Sequence, residues 1–176
     1  QYEIDYFDRK IRESPQDAIA LYLRGRAKLR LGYPETARQD VTAAYTLGLV
    51  LPEVLAMRGY TNLKAGGPLY ELDDLNQAVL VSPQNAFFQV FLAEKLVAQN
   101  NFVQAFRHLH DATILDSSLG LAHLIRAKIF LSLGLTESAK DALDATTKLE
   151  FPSASDYADR GEMHAFLGDF DLAIAD

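Results

Sequence analysis

The residues of this chain that could do chemistry are histidines and grouped carboxylates. His108 and His110 are two residues apart, so on a helix they point to different sides. The other two, His123 and His164, are far from them in sequence. A protein zinc site usually needs three or four converging ligands. We therefore interpret the histidines as structural residues and predict no metal site.

Two groups of acidic residues are the next candidates. One contains Glu71, Asp73 and Asp74, and the other is the DFD sequence of Asp169 and Asp171, which is similar to an aspartyl-phosphate motif. Asp169 directly follows a glycine, however, and acidic side chains are favoured at helix N-termini by the helix dipole. We predict that these carboxylates belong to helix starts rather than to a catalytic site.

The sequence contains none of the motifs of nucleotide-binding or acyl-transfer enzymes. AGGP at 65–68 lacks the pattern GxGxxG, GxxxxGK[ST] does not occur, and neither does GxSxG. Nothing in the sequence assembles histidine and aspartate around a nucleophile. We predict that the chain is not an enzyme and that it binds no cofactor.

Composition excludes further classes of function. The 176 residues carry a net charge of −7, which disfavours nucleic acid and anionic membrane surfaces as partners. No apolar run approaches the roughly 18 residues of a membrane span. The absence of cysteine excludes disulfides and thiolate-bound metals, and it is compatible with either redox compartment. With 49% hydrophobic residues, the chain has enough apolar side chains for a folded core.

The elements that position these residues recur with a period of 34 residues. One column contains only glycine or alanine: Gly25, Gly59, Ala93, Ala127 and Gly161. Seven residues later, a second column contains residues that accept a left-handed conformation at a helix end: Gly32, Gly66, Asn100, Gly134 and Gly168. Each period therefore predicts a helix, a tight turn and a second helix.

This period divides the chain into six repeat units. They are a partial unit 1–15, full units 16–49, 50–83, 84–117 and 118–151, and a partial unit 152–176. The predicted helices are 2–13, 16–31, 35–47, 52–65, 69–81, 84–99, 102–115, 119–133, 136–149, 153–167 and 170 onward. Since the partial units are not polar caps, we expect the chain to be a segment of a longer protein.

A 34-residue helix–turn–helix unit with these columns resembles the tetratricopeptide repeat (TPR) along essentially the whole chain. The resemblance implies an all-α, right-handed α-solenoid of antiparallel helix pairs. The family's closing proline is present only at Pro15 and Pro83. In unit 50–83, Pro68 lies just past the turn. Glu71 stands where the family prefers alanine, so the helix pair of this unit is expected to be spread or shifted.

The residue before the small-residue column is an arginine in four of five units. This column reads Arg24, Arg58, Leu92, Arg126 and Arg160. Sixteen residues later, the column reads Asp40, Asp74, His108, Ala142 and Asp176. The joint presence in three units and the joint absence in one predict an Arg–Asp pair between the two helices. Arg126 breaks the rule, since its register position is Ala142. The acid nearest to that position, Asp141, lies one residue earlier. The alternative is solvated charges that were copied with the unit.

The resemblance also implies that the first helix of each unit lines a concave binding groove. On that basis the expected contact residues are Tyr22, Arg26, Tyr60, Phe87, Val90, Glu94, Leu124 and Lys128. The lysine and asparagine clamp that some TPR proteins use for a C-terminal carboxylate is absent from the matching positions. We expect a largely apolar groove with scattered charges, although some of its apolar residues would instead pack between helices.

The resulting functional prediction is a non-catalytic scaffold whose groove binds a protein or peptide partner, with no nucleic acid and no membrane insertion. Two alternatives remain open at this point. The apolar surface could mediate self-association into a homo-oligomer. Alternatively, the array could be the regulatory part of a larger enzyme whose catalytic domain is absent from these 176 residues.

Overall fold

The computed structural model describes residues 2–67 and 73–176, and within these ranges every regular element is a helix. The predicted beginning of the helix 69–81, together with Pro68 and Glu71, lies outside the described residues. No helix of the described ranges combines the length and apolar character that crossing a bilayer requires. The helices are α1 (Tyr2–Glu13), α2 (Ala18–Arg30), α3 (Pro34–Thr46), α4 (Pro52–Lys64), α5 (Asp74–Val81), α6 (Ala86–Ala98), α7 (Phe102–Leu115), α8 (Gly120–Ser132), α9 (Thr136–Asp144), α10 (Ala154–Leu167) and α11 (Phe170–Ala175).

The helices form two compact halves. The N-terminal half, Gln1–Pro83, contains α1–α5, and each helix packs against the next one in the chain. The C-terminal half, Gln84–Asp176, contains the pairs α6/α7, α8/α9 and α10/α11. In this half α8 also packs against both α6 and α10, so the first helices of three successive pairs lie side by side.

The predicted turn column has the left-handed backbone that it needs. Gly32, Gly134 and Gly168 have φ of 80°, 73° and 86°, and Asn100, the one residue with a side chain at this position, has φ of 57°. After α2, the amide of Tyr33 donates to the carbonyl of Lys28 at 2.9 Å, which closes the helix end. These turns reverse the chain within a few residues, so the two helices of a pair are antiparallel.

The small-residue column permits close contact between paired helices. A Cβ added at Gly25 would lie 2.7 Å from Cγ2 of Val41 and 3.1 Å from the carbonyl oxygen of Ala37. Ala37, Val41 and Ala44 are fully buried on the facing helix. A residue with a side chain at position 25 would therefore force the two helices apart.

The three predicted Arg–Asp pairs are also confirmed. The Arg24 guanidinium donates to both oxygens of Asp40 at 2.8 and 2.6 Å. Arg58 donates to Asp74 in the same bidentate manner, at 2.6 and 2.7 Å. Nε of Arg160 donates to the two oxygens of Asp176 at 2.9 and 2.8 Å. The pairs join the two helices of a repeat, and the carboxylates of Asp40 and Asp74 are buried.

The pair in the first unit is part of a larger charge network. Asp8 on α1 accepts from the Nη1 group of Arg24 at 2.8 Å, and Nζ of Lys28 lies 2.8 Å from Asp40. The hydrogen bond that Arg24 donates to the Asp40 carboxylate is the main reason why the pKa of Arg24 is raised, so the guanidinium stays charged at every accessible pH.

Candidate functional site

In the N-terminal half, the predicted contact residues on α2 form a half-exposed pair. The Arg26 guanidinium is exposed and its Cζ lies 5.9 Å from the ring centroid of Tyr22, which is half-buried. Burial raises the pKa of the Tyr22 hydroxyl, while the charge of Arg26 opposes this shift and that of Glu53 on α4 adds to it. A ring, a cation and a carboxylate are therefore presented on neighbouring helices α2 and α4.

In the C-terminal half, Lys128 on α8 joins the two flanking first helices. Its ammonium lies 2.6 Å from Oδ2 of Asp159 on α10 and 3.6 Å from Oε1 of Glu94 on α6. The structure thus brings together Glu94 and Lys128, which the sequence predicted as separate points on the groove. All three side chains are mostly buried, with 25% of Lys128, 10% of Glu94 and 32% of Asp159 exposed.

A third carboxylate, that of Asp156, completes this charge cluster. It is fully buried at the start of α10, where its Oδ2 accepts from the amide and hydroxyl of Ser153 at 3.1 and 2.8 Å. One oxygen of each of Glu94, Asp156 and Asp159 lies within 4.8 Å of the others. Three carboxylate oxygens this close together could hold a cation, and the Lys128 ammonium already provides one for Glu94 and Asp159. The residues that the structure describes bring no histidine into a comparable group.

A surface pocket lies beside this cluster, between α8 and α10. It has a volume of about 290 Å³ and is lined by Leu131, Met163 and Phe166 together with Lys128, Asp159 and Glu162. The Phe166 ring is 75% exposed, so it offers an apolar surface at the edge of the pocket. The pocket combines apolar walls with an acidic rim, which differs from the largely apolar groove that the sequence predicted.

Three of the eight predicted contact residues need correction. The side chains of Tyr60, Val90 and Leu124 have no exposed surface, so they contribute to helix packing and not to a surface that a partner meets. Phe87 at the start of α6 is 43% exposed and keeps the predicted accessibility. The sequence reasoning failed for the three residues because the inward side of a first helix is shared between the groove and the adjacent helices.

The remaining candidates from the sequence lie at structural positions. Asp73 and Asp169 directly precede α5 and α11, as predicted for helix starts, and Asp74 is the partner of Arg58. His108 on α7 shares a hydrogen bond of 2.7 Å with the side-chain oxygen of Gln89 on α6. Asp156 and Asp159 were not among the predicted site residues, although the Ser153–Asp156 spacing is that of a capping box and signals the first of them.

Comparison with known proteins places the fold. No model of a known protein family matches the sequence, and no curated protein matches it. Among solved structures, TTC0263, a thermophilic TPR protein of Thermus thermophilus, is 22% identical over 90% of this chain and 87% of its own, with a TM-score of 0.72.

Two further structures are similar over nearly the whole chain. One chain of the Cut9–Hcn1 hetero-tetramer of the APC/C is 16% identical to this chain. The match covers 96% of this chain and 34% of the other, with a TM-score of 0.68. YrrB, described as a TPR protein with an unusual peptide-binding site, is 16% identical over 98% and 80%, with a TM-score of 0.60. With its 34-residue period, left-handed turns and all-helical pairs, this chain therefore has the fold of a tetratricopeptide repeat array.

Proposed function

We propose that this chain is a non-catalytic interaction scaffold that binds a peptide or helix of a partner protein on the surface of its first helices. The observation that carries the proposal is the pocket between α8 and α10, where the exposed Phe166 ring borders a charged cluster. Exposed apolar surface that is contiguous with a pocket and rimmed by polar residues is typical of interaction sites. YrrB, which is similar in fold, is described as having a peptide-binding site, and this likeness supports the proposal.

The chemistry of the pocket selects one kind of ligand. Leu131, Met163 and Phe166 provide an apolar wall for one large apolar side chain. The carboxylates of Asp159 and Glu162 line the same pocket beside the ammonium of Lys128. We therefore expect the ligand to present an apolar residue next to a lysine or arginine, with the charges setting its register.

The other five residues of the sequence prediction have distinct roles in this proposal. Glu94 and Lys128 fix the charge cluster beside the pocket, and Phe87 extends the apolar surface on α6. Tyr22 and Arg26 form a separate contact point in the N-terminal half. Phosphate or nucleic acid is disfavoured at the pocket because its rim is acidic.

Selection from a random peptide display library tests the proposal. The site variant is Glu162→Lys with Phe166→Ser, since both side chains are exposed and neither supports the core. The control is Val103→Ser with Glu137→Lys, which makes the same kinds of change at exposed positions of α7 and α9. We expect enriched peptides that contain an apolar–basic pair, that bind the control normally and that bind the site variant at least about tenfold more weakly.

Two results would contradict the proposal. One is the absence of any enriched peptide, and the other is equal binding to the site variant and the wild type. The principal alternative is self-association, which is favoured by the exposure of Phe170 (64%) and Ile174 (84%) on α11. Light scattering over a hundredfold concentration range distinguishes the two, because a peptide receptor keeps a constant mass and a self-associating chain does not.

A further inference from the structure

Arg126 lies in a second pocket, on a different face of the C-terminal half. This pocket lies between α7 and α8, has a volume of about 180 Å³, and is lined by Phe106, Leu109, His110 and Thr113 as well as Arg126. The Arg126 side chain is half-buried, and none of residues 2–67 and 73–176 forms an ion pair or hydrogen bond with its guanidinium. Asp141, the acid nearest to the register position of Ala142, is exposed and does not reach it.

The first full unit shows how an arginine at this position can be held by carboxylates. At the equivalent position three periods earlier, Arg24 is held by Asp40 of its own helix pair and by Asp8 of the preceding helix. A shift of 102 residues maps Asp40 onto Ala142 and Asp8 onto His110. Both carboxylates that would neutralise the guanidinium are therefore replaced at the Arg126 position.

A third replacement explains why a pocket exists there. The guanidinium of Arg58 is covered by the ring of Tyr45, whose centroid lies 3.5 Å from Cζ. Two periods later, the position of Tyr45 is occupied by Thr113, which lines the pocket. The smaller side chain leaves open the space that an aromatic ring fills in the earlier unit. Arg160, one period further on, has both an aspartate and a backbone carbonyl as partners.

A half-buried guanidinium without an anion is an unfavourable arrangement, because its charge is partly removed from water without compensation. Its planar, forked donors match a carboxylate, and the three other arginines of this column bind carboxylates in that way. A pocket of about 180 Å³ has room for on the order of six water molecules, which corresponds to a carboxylate with a short aliphatic stem.

We propose that the Arg126 pocket is a binding site for a carboxylate, which replaces the aspartates that this unit lacks. The Phe106 ring contacts the stem, and the exposed His110 lies at the mouth. The ligand is either an acidic side chain of a partner protein or a small carboxylic acid, since both carry the same group. This site is separate from the peptide surface between α8 and α10 and does not depend on it.

Nuclear magnetic resonance tests the site directly. Sodium propionate is titrated into the protein at constant ionic strength, and the guanidinium Nε–H of Arg126 and the amides of 110–113 are followed. We expect a saturable shift with propionate and none with sodium chloride. An acetylated peptide that contains one glutamate is the second probe, with a glutamine peptide as its control. If the glutamate peptide binds at least about tenfold more tightly than propionate, the ligand is a partner side chain. If the glutamate peptide and propionate bind equally, the ligand is a small acid.

Two variants make the test specific. Ala142→Asp restores the internal partner of the other units, so it should abolish the propionate response and raise the melting temperature. Thr136→Asp adds the same charge at an exposed position of α9 and should preserve the response. Arg126→Gln, read from the amides, should also lose it. The proposal is overturned if propionate gives no saturable shift below about 100 mM, if chloride gives the same shift, or if the response survives in Ala142→Asp or Arg126→Gln.

Discussion

The Arg58–Asp74 pair offers the sharpest test of how the repeats are held together. Only 12% of the arginine side chain and 5% of the aspartate are exposed, and the two groups share two short hydrogen bonds. Replacing Asp74 by leucine leaves a guanidinium in this buried place with only the Tyr45 ring beside it. Replacing Arg58 leaves a buried carboxylate. Each single change should therefore lower the free energy of unfolding by about 3–5 kcal/mol.

The double variant Arg58→Leu with Asp74→Leu should behave differently. It removes both charges together, so no uncompensated ion remains and the new side chains are apolar. We expect its stability to lie within about 1–2 kcal/mol of the wild type and above that of either single variant. Unit 84–117 has a related solution, because Leu92 and His108 occupy the two positions there. The coupling free energy of the cycle should exceed about 2 kcal/mol.

Urea unfolding followed by circular dichroism measures the four stabilities, and hydrogen exchange of the α4 and α5 amides reports the local effect. The matched control is Glu35→Gln, which breaks an exposed ion pair with Arg38 on α3. It should leave the unfolding midpoint unchanged because exposed ion pairs contribute little. If each single variant costs less than about 1 kcal/mol and the two effects simply add, the charges are solvated and were only copied in register.

Two further predictions concern a turn and a titratable group. Gly134→Ala should lower the free energy of unfolding by about 1–2 kcal/mol because φ is 73° there, and Gly134→Asn should cost less, since Asn100 already adopts this conformation; urea unfolding measures both. Burial lowers the pKa of His108 below 6.5, with Asp111 opposing and Arg107 adding to the shift. The unfolded chain therefore takes up the proton more readily than the folded chain. As pH falls from about 7.5 to about 5, the free energy of unfolding of the wild type should decrease more than that of His108→Gln. Equal pH profiles of the two proteins would refute this.

The fold could be predicted from the sequence because its determinants recur and are local. A turn that needs positive φ admits glycine or asparagine, and Gly32 and Asn100 show this at the same register. A close helix crossing admits only a small residue, as the contact of Gly25 with Val41 shows. Each constraint determines the residue type at one position of the repeat. Because the same residue types recur in five units, the pattern can be distinguished from chance. The Arg24–Asp40 pair was predictable for the same reason.

The candidate site was less predictable because it depends on how far each side chain lies from solvent. The period assigns Tyr60, Val90 and Leu124 to the inward side of the first helices, yet all three are fully buried. Register gives a direction but not a depth, since neighbouring helices cover part of each face. The carboxylates of Asp156 and Asp159 were missed because neither belongs to a column that was used. The capping-box spacing signals Asp156, and the contact with Lys128 reveals Asp159.

Departures from the repeat therefore carry more information about function than the repeat itself. Where a column is kept, its residue is explained by packing or by an internal partner, as at Arg58. At Arg126 the charge is kept while its ring neighbour and both of its carboxylate partners are replaced, so internal packing no longer accounts for the arginine. Without a functional constraint, an uncharged residue would be expected at this position, because a half-buried charge is costly. Unit 84–117 has such a residue, Leu92. An arginine that keeps its charge in an open pocket, with no anion bound to it among the described residues, is best explained by an anion from outside the chain.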